Sequence, residues 1–196
     1  MKKIITKIAF MAVIAIISSN SLFAQKSGVF KSFADYKSGK MEYGINCATE
    51  MHKIKLNDFL GKDYITVIHE GKSYDLKKAE IWGLQLCDEK IIRFQGKEDF
   101  QVNEKASLWI YTRQTLQAGN PKNAASKYIT SYYFSKDGDG KILELTPNNV
   151  KAAFPDNHKL HDAIEMQFPT SASITEFDEY HKNFKINHFL EAQGIK

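Results

Sequence analysis

The chain has 196 residues, 43% of them hydrophobic, with two cysteines, four prolines and eleven glycines, which suits one folded domain and excludes disordered, collagen-like and disulfide-knot chains. Its 27 basic and 23 acidic residues include Lys2, Lys3 and Lys7 of an N-terminal leader, and without those three the balance is 24 against 23, or +1. No nucleic-acid partner is expected of so neutral a chain, because such binders carry a basic excess or a basic stripe.

Residues 1–24 read as a secretory signal peptide. Lys2-Lys3 open a basic region, Ile8 to Ile17 form an unbroken apolar run, Ser18-Ser19-Asn20-Ser21 are polar, and Ala24-Gln25 offers a cleavage point. The apolar run is half the ~20 residues that a spanning helix needs, and no later segment is longer, so no transmembrane segment is expected in the mature chain. The protein is therefore expected to be exported and soluble. In an oxidising compartment Cys47 and Cys87 are expected to pair as a disulfide.

The mature part, 25–196, reads as a single α+β domain, with a mainly antiparallel β-meander over about 45–145 and a tail of two or three helices over about 146–194. Lys53 to Leu56, Tyr64 to Ile68, Ser73 to Leu76, Ala79 to Leu84, Lys90 to Phe94, Phe100 to Val102, Ala106 to Thr112, Tyr128 to Phe134 and Lys141 to Leu145 have strand character. Glu70-Gly71, Gly96-Lys97, Asn103-Glu104-Lys105 and Asp137-Gly138-Asp139-Gly140 supply turns, and 114–126 is a polar loop. The meander is expected to curl, or to close into a barrel or sandwich. Thr146-Pro147 predicts the start of a short helix, and Asp156 is expected to cap a second running to about Phe168. Ser173 to Glu176 fits a capping box for a third, whose Ile174, Phe177, Tyr180 and Phe184 would share one face and which Gly194 would end.

Three groups of side chains carry candidate chemistry. His158, His161 and Asp162 fall on one helical face with Glu165, an arrangement that could hold a divalent metal, although an amphipathic helix would turn the same face to water. Trp82, Trp109 and Tyr132 could line a pocket or a sugar-stacking surface, while aromatic residues on strands are more often core. The Asp137–Gly140 turn lacks the glycine and glutamate spacing of a calcium loop. Nucleophile elbows, phosphate loops and dinucleotide fingerprints are absent from the sequence, so no catalytic residue is assigned. Catalytic carboxylates drawn from distant positions remain the route to a hydrolase.

The stretch Tyr74 to Gly83, followed by Cys87-Asp88 and Ile92-Arg93-Phe94, resembles uncharacterised exported proteins of Bacteroidetes-type bacteria, as does the tail from Leu145-Thr146 through Phe154 to Asp162. The resemblance implies the periplasm or outer cell surface of a Gram-negative cell and carries no activity. The expected function is a non-enzymatic binding or accessory module for a small ligand, a glycan or an envelope protein, without a cofactor. The alternative is a metal-binding protein or metal-dependent enzyme built on His158 and His161.

Overall fold

The computed structural model describes residues 26–51, 53–57, 61–116 and 128–195. The expected leader, its cleavage point, and residues 117–126 of the expected 114–126 loop lie outside the described residues, while residues 114–116 of that loop continue a strand instead.

The N-terminal strand β1 (Lys26–Phe30) is followed by helix α1 (Phe33–Ser38) and strand β2 (Glu42–Asn46). Ser32 and Asp35 form a reciprocal capping box at the start of α1, and Gly39 ends it in the left-handed conformation. Strands β3 (Lys53–Lys55), β4 (Tyr64–His69) and β5 (Lys72–Lys77) make a separate three-stranded antiparallel sheet. Glu70 and Gly71 both have positive φ, so β4 and β5 join through the predicted two-residue hairpin turn.

A 3-10 turn at Lys78–Glu80 leads to β6 (Gly83–Gln85), β7 (Ile91–Gln95), β8 (Glu98–Lys105), β9 (Trp109–Leu116), β10 (Tyr128–Ser135) and β11 (Leu143–Glu144). These six form a meander, while the strands over 53–76, expected in the same meander, stand in the separate sheet. The eight-stranded sheet has the order β11-β10-β9-β8-β7-β6-β1-β2, antiparallel throughout and open, with β2 and β11 at its edges. The sequence reading placed a strand over 79–84 and a turn at 103–105. Instead, Ala79 belongs to the 3-10 turn, and β8 runs on to Lys105 through a bulge between Val102 and Glu104.

The tail begins with α2 (Pro147–Ala153), capped by Thr146 as predicted. Asn157, one residue past the expected Asp156, caps α3 (His158–Gln167) by accepting the Leu160 N–H. The expected long third helix is broken. Thr170 caps the four-residue α4 (Ser171–Ile174), with Ser173 as the third residue of that capping box instead of its cap. A small hairpin of β12 (Phe177–Asp178) and β13 (Asn183–Phe184) follows, then α5 (Lys185–Ala192). The break has a local cause: the Asp178 carboxylate accepts the backbone N–H groups of Tyr180 and His181, an Asx-type turn that competes with helical bonding. Ile174 and Phe184 are consequently buried, while Phe177 and Tyr180 are exposed. Gly194, with φ +78°, follows α5 as expected.

Two cores divide one face of the long sheet. At one end Val29, Leu84, Ile92 and Phe94 pack against Ile65 and Val67 of the three-stranded sheet. At the other, Ile110 and Phe134 pack under Val150, Leu160, Ile164, Ile186 and Leu190 of the tail. Asn187 of α5 fixes that docking: its side chain accepts from the Leu108 N–H and donates to the Leu108 carbonyl and to Glu104, while Glu104 accepts the Phe184 N–H. The reverse face carries Phe100, Tyr111 and Ile142, with Val102, Trp109 and Tyr133 packed against them. Cys47 and Cys87 form the expected disulfide, Cα atoms 5.8 Å apart, joining the end of β2 to the β6–β7 turn.

Candidate functional site: a cleft across the sheet

No second layer of described residues covers the stretch of sheet between the two cores, which forms a cleft of about 1250 Å³. Its floor follows from register. Ile92 pairs with Gln101, Gln101 with Thr112, and Thr112 with Tyr132, so one row crosses four strands on a single face. Two residues along, Gln114 pairs with Thr130, and Tyr128 stands another two residues from Thr130 on β10. The same face is apolar where a second layer covers it and carries hydroxyls and amides where no described layer does. Leu56 borders the cleft from the three-stranded sheet; Phe177, Glu179 and Phe184 border it from the β12–β13 hairpin.

The floor groups are chemically open. Thr112 donates its hydroxyl proton to the Asn103 side-chain oxygen at 2.9 Å, leaving the Asn103 amide N–H groups available. Among the described residues Gln101, Gln114, Thr115 and Thr130 have no side-chain hydrogen-bond partner. Aromatic surface lies beside them: Tyr132 packs edge-on to Phe184, Phe177 packs edge-on to Phe184, and Tyr128 and Phe177 keep 58% and 42% of their area exposed.

The hairpin on the cleft's border is pinned by one carboxylate. The His181 ring N–H at 2.7 Å, together with the backbone N–H groups of His181 and Tyr180, holds the Asp178 carboxyl down at about 2, below its ordinary 3.8. A lowered carboxyl value means that these bonds hold the turn fully above 3.8 and loosen as pH falls toward 2. We expect the Asp178 carboxyl carbon to titrate with a midpoint near 2 by NMR, with amide shifts at Tyr180 and His181 following the same curve. A midpoint at the ordinary value would refute the pinning. His181 also stacks on His188, ring centroids 4.5 Å apart.

The aromatic trio of the sequence reading is split between the two faces. Tyr132 lines the cleft. Trp82 and Trp109 lie on the reverse side in a cluster with Phe30, Phe33 and Tyr36, where Tyr36 stacks on Trp82 at 4.5 Å. Trp82 is 7% exposed and donates its ring N–H to the Gly138 carbonyl at 2.7 Å. A recess of about 540 Å³ opens there beside Phe33, Trp82 and Arg93. Asp137 accepts the N–H groups of Asp139 and Gly140, so the acidic turn is closed by its own first carboxylate.

His158 and His161 are neighbours on α3, ring centroids 5.7 Å apart, and Asp162 is exposed beside them. The His161 Nε2 bonds the Phe154 carbonyl at 2.8 Å, and Glu165 pairs with Lys151, which holds its carboxyl below the usual value. Among the described residues no three His, Cys, Asp or Glu side chains converge on a point that could hold a metal ion. No helix of the described residues is long and apolar enough to cross a membrane.

The strand expected over Tyr128 to Phe134 places Tyr128, Thr130 and Tyr132 on one face by period two, but the sequence does not show that Gln101, Thr112 and Gln114 continue that face across the sheet. The alternation Thr112-x-Gln114 opposite Thr130-x-Tyr132 was the available signal. Comparison with protein-family models, curated proteins and solved structures finds no match to the chain.

Proposed function

We propose that the protein is an exported, non-enzymatic binding module that holds its ligand in the cleft between the three-stranded sheet and the β12–β13 hairpin. The observation that carries this reading is the cleft itself, a large concavity floored by open hydroxyl and amide groups. Sites that recognise ligands combine a concave surface with a few convergent polar groups. Leader-like residues 1–24 and the Cys47–Cys87 bond support a periplasmic or cell-surface setting. Asp99 and Glu179 both line the cleft, but each is ion-paired with a lysine, Lys78 and Lys182 respectively, so neither stands as a lone acid over the floor.

The test adds the dialysed low-mass fraction of the cell envelope to isotopically labelled protein and follows backbone amides by NMR. Shifts confined to residues 99–115 and 128–132, and abolished by Thr130→Trp, are the expected result. Thr130 is exposed and aromatic residues suit strands, so this variant fills the cleft without disturbing the core. Shifts elsewhere, no shifts, or turnover of the added material would overturn the reading.

A further inference from the structure

The charges around the cleft narrow its ligand, an inference that rests on the cleft being the binding site. Four charged side chains line it, two of each sign: Lys90, Arg113, Asp99 and Glu179. Each already faces an opposite charge that is not part of the lining. Lys90 pairs with Asp88 at 2.7 Å, Arg113 with Glu98 at 3.1 Å, Glu179 with Lys182 at 3.0 Å, and Asp99 with Lys78 at 3.8 Å. Lys78 is 1% exposed, which ties Asp99 to the interior. A charged ligand would meet no unopposed charge among these residues, and would lose hydration without a compensating ion pair.

The remaining lining matches another chemistry. Gln101, Asn103, Gln114 and Thr130 present both donors and acceptors, a set that pairs with hydroxyl groups able to act either way. Tyr128 and Phe177 add exposed ring surface beside these groups, suited to the C–H faces of a sugar ring. The volume of about 1250 Å³ exceeds the ~300–1,000 Å³ of a drug-sized site and fits several linked units. We infer that the cleft binds a neutral oligosaccharide, with the amide and hydroxyl row reading the sugar hydroxyls and Tyr128 and Phe177 stacking on ring faces.

The experiment is NMR titration of the protein from its own envelope fraction with neutral gluco-, manno-, xylo- and galacto-hexasaccharides. An acidic hexasaccharide (oligogalacturonate) and a polar hexapeptide run in parallel. The inference expects at least one neutral hexasaccharide to shift the amides of 99–115 and 128–132. Its affinity should be unchanged between low and high salt and should fall about tenfold in Tyr128→Ala. Tyr128 is exposed, so that variant keeps its fold. Cleft shifts with the acidic sugar or peptide alone, weakening with salt, would overturn the neutral-sugar inference and leave the binding module standing. No cleft shifts with any hexasaccharide would overturn it too, with the envelope extract deciding the broader reading separately.

Discussion

Breaking the Cys47–Cys87 bond should cost the fold about 4 kcal/mol, roughly the chain-entropy value for a closed loop of about 40 residues. The bond runs from the end of β2 to the β6–β7 turn, and β1 lies between β2 and β6 in the sheet. It therefore staples an edge strand across the N-terminal strand. The loop it closes contains all of β3–β5, which covers Val29, Leu84 and Ile92 and borders the cleft at Leu56. With marginal stabilities of about 5–15 kcal/mol for ordinary domains, a loss of this size is a large fraction of the total. We expect Cys47→Ser/Cys87→Ser, compared with wild type by urea denaturation, to show a lowered midpoint. Amide exchange should accelerate first at Ile65 and Val67 and last at Ile164 and Leu190, which belong to the other core. A midpoint shift worth under about 1 kcal/mol would mean that the loop is held in the unfolded chain without the bond.

The contrast between what could and could not be read from the sequence is physical. Strands β4, β7 and β10 were legible because β-branched and aromatic residues alternate there, and period two assigns side chains to faces without knowledge of the neighbours. The cysteine pair was legible from the expected compartment. Strand β1 was not: Lys26–Phe30 has a short, ordinary composition, and its place beside β6 depends on a partner more than 50 residues away. The long tail helix failed because a single carboxylate, Asp178, gathers backbone donors that a helix would need for itself. The cleft was half legible. Which residues share a face is local information, whereas which part of that face stays uncovered is decided by where β3–β5 and the tail dock. Thr112 and Thr130 read as ordinary strand positions, and Gln114 as the start of a loop, until both layers are in place. Trp82 and Trp109, chemically the most conspicuous residues of the meander, were drawn to the reverse face by packing with Phe30, Phe33 and Tyr36.

That reverse face turns on Arg93, whose replacement by alanine should cost about 3–5 kcal/mol. Arg93 is 5% exposed, and no described carboxylate forms an ion pair with it. One guanidinium nitrogen donates to the Tyr111 hydroxyl at 2.8 Å and the Ser135 hydroxyl at 3.2 Å, and the other to the Gly140 carbonyl at 2.6 Å, while Nε is buried without a partner. The planar fork thus ties β7 to β9, β10 and the turn that leads to β11, a geometry that a lysine ammonium would not reproduce. Gly83 makes the space. It pairs with Arg93 across β6–β7, and a Cβ there would stand 2.3 Å from the Ile92 carbonyl oxygen and 3.2 Å from the Arg93 Cα. Burial also pushes the Tyr111 hydroxyl above its ordinary value, so it remains a neutral partner through the physiological range. Arg93→Met separates charge from packing. It keeps most of the stem, leaves the Tyr111 and Ser135 hydroxyls bonded to each other at 2.7 Å, and orphans the Gly140 carbonyl, for an expected loss of about 2 kcal/mol. Urea denaturation of both variants, with amide exchange over 136–142, checks the order alanine below methionine below wild type. A methionine variant as stable as wild type would show that desolvating the guanidinium cancels everything its hydrogen bonds return.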